Sequence, residues 1–93
     1  MNAEPVDFGR FTIGEDRFVA SGVPGTSQVR VTVDAPPSYV RSPVVVLHEW
    51  EPGRVSAAWH GGHWLRRERW KASVRDEALR LRDAWREVRA DVA

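Results

Sequence analysis

The sequence predicts an α+β fold: an antiparallel sheet of five or six strands with a C-terminal amphipathic helix packed on it. Three observations carry this. Short apolar/polar alternations recur, most regularly in Gln28–Asp34, which is the pattern of a half-buried strand. Turn sequences rich in glycine and proline separate those runs. From Val74 onward the apolar period changes from that of a strand to that of a helix. An open sheet is preferred, and a small SH3-like barrel with a terminal helix is the rival architecture.

The chain of 93 residues has room for a single domain, 1–93, and a modest core. Residues 1–7 are expected to be a loose terminus. Residues 8–34 hold the N-terminal strands. Phe8–Gly14 reads as a strand with Phe11 and Ile13 inward, Gly14-Glu15-Asp16 as a turn, and Arg17–Gly22 as a second strand. After the turn Val23–Ser27, the third strand places Val29, Val31 and Val33 on one face. Residues 35–43, with three prolines, form a connector read as a crossover between the two halves of the sheet.

Residues 44–70 read as a three-stranded meander. At Glu51-Pro52-Gly53-Arg54, proline presets φ and glycine accepts a positive φ. At His60-Gly61-Gly62-His63, the glycine pair suits a two-residue hairpin loop. With two-residue loops at both turns, Trp59 falls opposite Val46 and Trp64. Val46, His48, Trp50, Val55, Ala57, Trp59, Trp64 and Arg66 then share the expected core face. A one-residue slip would invert that assignment.

The helix is expected over 74–92. Val74, Ala78, Leu81, Trp85, Val88 and Val92 fall on one narrow stripe, and Ser73 with Asp76 resembles a capping box. Trp70 lies on the same stripe, so the helix could equally start near Arg66 or Arg67 with Ser73 internal. Such a helix is longer than a six-residue strand. Packing entirely on its own sheet is the default expectation; the alternative is that Trp85, Val88 and Val92 overhang the sheet and meet a second copy of the chain in a homodimer through the helix.

Composition narrows the function. There is no cysteine, hence no disulfide framework, thiolate nucleophile or cysteine-based zinc site. Met1–Gly9 is polar and acidic, no apolar run reaches membrane-spanning length, and a cytoplasmic protein is expected. Thirteen of 14 basic residues are arginine, the bias of a GC-rich coding sequence, which suggests a bacterial or bacteriophage source. No metal or cofactor site is expected: His60 and His63 could share an ion, but His48 points away and no third ligand joins them. Catalysis has no support either, since there is no activated serine, no paired acid/base site and no phosphate-cradling loop.

Binding is what remains. Charge is uneven: the stretch Arg54–Arg75 holds six basic groups and one acid. Arg54, Arg66, Arg67, Arg69, Lys71 and Arg75 alternate with tryptophans, a combination suited to phosphate contact and base stacking. Around Val44–Arg89, including the run SVRDEALRLRDAW, the layout is similar to the AP2-type or integrase arm-binding module, and that resemblance implies a DNA groove read by the sheet. Five tryptophans are also many for so small a core. A half-exposed tryptophan flanked by arginine is a typical interface anchor, which singles out Trp50 and Trp70, with Arg67 and Arg69 as rim. The leading expectation is a small non-enzymatic interaction protein with a protein partner, a regulator or inhibitor of the kind phages and mobile elements encode. Nucleic-acid binding through residues 54–75 is the alternative.

Overall fold

The computed structural model of the chain describes residues 4–34, 43–60 and 68–92. Strands β1 (Val6–Ile13), β2 (Asp16–Gly22), β3 (Gln28–Val33), β4 (Val45–Glu51) and β5 (Arg54–Trp59) form one open antiparallel sheet in the order β1-β2-β3-β4-β5. Helix α1 (Glu68–Val92) follows and packs on one face. The fold is α+β. The expected crossover is absent, because β3 pairs directly with β4, Val29 opposite Leu47 and Val31 opposite Val45. The connector itself (35–42) and the strand expected near 63–67 lie outside the described residues.

Local chemistry sets the turns. The β4–β5 loop is Pro52-Gly53, closed by the pair Glu51 and Arg54, with Gly53 at φ +81° as that turn requires. Between β2 and β3, the Thr26 hydroxyl and backbone N–H both donate to the Val23 carbonyl, at 2.7 and 3.1 Å.

The core lies between the sheet and α1. Phe11, Phe18, Ala20, Val29, Val31, Val45 and Leu47 point into it from the strands, and Val74 and Ala78 close it from the helix. Phe11 stacks on its cross-strand partner Phe18 at 5.3 Å between centroids. Each fully buried large side chain contributes about 1.5–3 kcal/mol. A bulge between Asp7 and Gly9 breaks the alternation of β1. It lets Phe8 join the covered side, where its ring meets Trp85 edge-on at 5.5 Å.

The helix begins at Glu68, several residues before Val74, so Ser73 is internal and exposed and caps nothing. Trp70 explains the extension. Its ring packs against Phe18 (5.5 Å) and Trp59 (6.0 Å), and that burial favours helix through the turn that carries it. At the other end, a 25-residue helix is about 37 Å long against about 23 Å for a seven-residue strand. Val88 is accordingly 62% exposed.

One charged residue enters the core side. Arg82 is only 4% exposed because it continues the row Val74–Ala78–Arg82 at four-residue spacing. Its Nη1 lies 3.3 Å from Glu49 Oε1, and its Nη2 donates to Asp83 Oδ1 at 2.9 Å and reaches Glu49 Oε2 at 3.5 Å. Nη1 is not aligned for a hydrogen bond and has no such partner. The pair ties α1 to β4.

Candidate functional site

The open face of the sheet is built by strand alternation. Phe18, Ala20, Val29 and Val31 point to the helix, so Arg17, Val19, Ser21, Gln28, Arg30 and Thr32 point away. Arg10 and Thr12 join them from β1.

Strand β4 corrects the expected register. Trp59 pairs with Val45, not Val46, and Leu47 pairs with Ala57. The cause is a bulge: Glu49 pairs with Val55 and Glu51 with Arg54, so Trp50 is one residue too many. Strand β5 keeps its expected face, with Val55 and Trp59 packed against the core. In β4 the faces are exchanged. Val45 and Leu47 are fully buried and Glu49 meets Arg82, whereas Val46 and His48 are half-buried on the open side and Trp50 is 52% exposed. The sequence holds a signal for this. An arginine in the apolar row of the helix needs a carboxylate across from it, and Glu49 can supply one only if the odd-numbered residues of β4 face inward.

Trp50 is therefore a surface residue with a fixed setting. The Arg54 guanidinium lies 5.4 Å from its ring centroid, and Arg54 also pairs with Glu51 at 3.4 Å. The neighbouring His48 Nδ1 is 2.9 Å from the Ser27 hydroxyl, which joins β4 to the β2–β3 turn. Ser56 and Ala58 of β5 complete the surface as small exposed residues.

Trp70 stands differently. It packs on Phe18 and Trp59, and with the exposed Arg69 it lines an open groove of about 790 Å³ against Ile13 and the acidic turn Glu15-Asp16. The basic segment is divided between two sides of the molecule. Arg54 sits at the β4–β5 turn, whereas Arg69, Lys71 and Arg75 ride on the helix. Lys71 lies 5.6 Å from the Trp59 ring centroid, and Arg75 pairs with Asp76 at 3.2 Å. Arg66 and Arg67 lie outside the described residues. Of the residues expected at a dimer interface, Trp85 packs on Phe8 and is overlaid by Arg89 at 5.0 Å, and Val88 is exposed. The side chain of Val92 lies outside the described residues.

Among the described residues, no three histidine, cysteine or acidic side chains are grouped to hold a metal ion, and no helix is long and apolar enough to cross a membrane. His63, the expected neighbour of His60, is not among them. No family model, curated protein or solved structure matches the chain.

Proposed function

We propose that this chain is a small non-enzymatic interaction protein that binds a protein partner through the open face of its sheet, with Trp50 as the anchor. The observation that supports the reading is the β4 bulge, which turns a large aromatic residue out of a core that the plain hairpin register would have given it. A bulge interrupts the ladder and re-aims a side chain, and such features are over-represented at sheet edges and next to active sites. Tryptophan and arginine are the residue types that dominate interface energies. The Arg54–Trp50 pair presents both on a rigid strand end.

The test compares the wild-type chain with Trp50→Ala as bait in a quantitative pull-down from the source cell. Trp50 touches little of the core, so the variant should keep its melting temperature and lose the partner. A partner retained at full strength by a folded Trp50→Ala variant overturns the reading.

Nucleic-acid binding is the second reading. It is favoured by four arginines, Arg10, Arg17, Arg30 and Arg54, spread over one sheet face. Acids on the same face weigh against it: Asp34 pairs with Arg10 at 3.3 Å and Glu51 with Arg54. Anisotropy of a labelled duplex at two salt concentrations separates the readings, since phosphate contacts weaken steeply with salt.

A further inference from the structure

Beside Arg30, on the middle strand of the sheet, a cleft of about 390 Å³ extends to the β2–β3 turn. Its polar lining comes from two strands and the turn that joins them: Ser21 from β2, Gln28, Arg30 and Thr32 from β3, and Thr26 from the turn. Residues 28, 30 and 32 alternate onto one face, and Ser21 is the cross-strand partner of Arg30. Ser21, Gln28, Arg30 and Thr32 make no side-chain hydrogen bond or ion pair among the described residues. Among the described residues, no carboxylate lines the cleft. A guanidinium flanked by two hydroxyls and an amide, with all of these donors idle, has the chemistry of an oxyanion receptor.

The charge around it limits the ligand. Arg10 and Arg54, on the same face, are paired with Asp34 and Glu51, which leaves only Arg30 and Arg17 as unpaired cations there among the described residues. The whole chain carries a net charge of only +1. That surface suits one discrete negative group better than a polyanion, whose binding grows with the number of phosphates neutralised. The cleft is also continuous with the Trp50 surface. Ser27, at the end of the turn, bonds His48, and the Ser27 carbonyl accepts the Glu49 N–H at 3.0 Å. Arg30 is opposite Val46, four residues from Trp50 along β4, or about 13 Å. An extended peptide covers the same distance between residues four apart, and those two side chains share a face.

We infer that the Arg30 cleft receives the carboxylate of an acidic side chain from an extended segment of the protein partner, while Trp50 receives a large apolar side chain four residues away on that segment. The inference rests on the protein-binding reading above and adds the partner's chemistry to it.

The test is selection of a random peptide display library on the wild-type chain and on Arg30→Gln and Trp50→Ala. Both sites are exposed, and unchanged melting temperatures would verify the folds. Peptides enriched on the wild type should carry Asp or Glu four residues from a large apolar residue. They should bind Arg30→Gln roughly tenfold to a hundredfold more weakly, the loss expected for a charge-assisted hydrogen bond. Selection on Arg30→Gln should keep the apolar preference and lose the acidic one, with the reverse on Trp50→Ala. Enriched peptides without an acidic residue, or an acidic preference unchanged in Arg30→Gln, overturn the cleft assignment and leave the Trp50 reading standing. No enrichment over an unrelated protein overturns both. Salt-sensitive binding of a labelled 12-nucleotide single strand that disappears in Arg30→Gln assigns the cleft to a phosphodiester and overturns the peptide inference.

Discussion

The two faces of β4 belong to the same seven residues and do opposite things. On the covered side, Val45 and Leu47 are fully buried and Glu49 holds Arg82. On the open side, Val46 and His48 are half-buried and Trp50 is exposed beneath Arg54. Residue type does not separate the two, since the largest apolar side chain of the strand is the one outside. Position relative to a single extra residue does. Trp59 and Trp70 show what tryptophan does where it serves packing, since each lies against another aromatic ring at the core. The difference teaches that here a tryptophan's role is set by backbone register, and register can be tested.

The largest expected effect lies on the covered side. Leu47→Ala should cost about 2–5 kcal/mol in urea unfolding, the range for truncating a buried leucine. Val46→Ala, one residue along, should cost under about 1 kcal/mol because only part of its side chain leaves water. A larger cost at Val46 than at Leu47 would restore the plain hairpin register, and equal costs would remove the contrast between the two faces.

Arg82 and Glu49 come next. Removing one member of a buried ion pair leaves the other uncompensated, at about 3–5 kcal/mol when both are fully buried. The Glu49 side chain keeps 22% exposure, so Arg82→Met should cost less, about 2–3 kcal/mol. Combining it with Glu49→Leu should recover most of that loss, because two apolar side chains leave no orphaned charge. A double variant as unstable as the sum of the singles would mean the two residues act independently and do not lock helix to sheet.

Gly9→Ala should cost about 1–3 kcal/mol, since φ of +153° is rarely adopted by residues with a Cβ. The new Cβ would also meet the Leu81 side chain at 3.0 Å. A neutral Gly9→Ala would show that the β1 bulge relaxes freely and that Phe8 does not need it to reach Trp85.

How far the fold can be read from the sequence follows from where each structural feature originates. Strands β1 to β3 are local: the valines at 29, 31 and 33 and the glycine turns state their faces without reference to the rest of the chain. The Pro52-Gly53 turn is equally legible. The helix is legible in type but not in extent, because its first turns are held by Trp70 meeting Phe18, a contact between residues far apart in sequence. The β4 face is misread because a bulge has no sequence signature of its own at Trp50. Its rationale lies 33 positions away in Arg82, and only pairing that arginine with Glu49 would expose it. The candidate site inherits the same error. Sequence reasoning identifies Trp50 as an anchor but places it on the core face. It leaves Arg30 unmarked, because the Arg30 cleft forms only when β2, β3 and their turn come together.

The smallest effect contrasts two acid–arginine pairs, one within the helix and one between the helix and β4. Glu77 and Arg80, on its outer side, form a two-pronged pair, Arg80 Nη2 donating to Glu77 Oε2 at 2.7 Å. The hydrogen bonds from Arg80 above all, with a smaller contribution from its charge, hold the Glu77 carboxyl below its ordinary value of 4.5, against an opposing push from burial that is larger than the effect of the charge alone. A carboxyl with a depressed folded-state value stabilises the fold above its unfolded value, and that stability is lost as pH falls through the folded one. Arg80 is raised by the same partner and stays charged throughout. Arg80→Gln should therefore be slightly less stable than wild type at neutral pH and low salt, with the two melting curves converging as pH drops below the carboxylate range. Added salt should close the gap as well, because the pair is open to solvent. Arg82→Met should keep most of its deficit in high salt, since its guanidinium is buried. If both deficits vanished together with salt, the Arg82–Glu49 pair would be a solvated surface contact, and the inward face of β4 would lose the anchor that sets Trp50 outside.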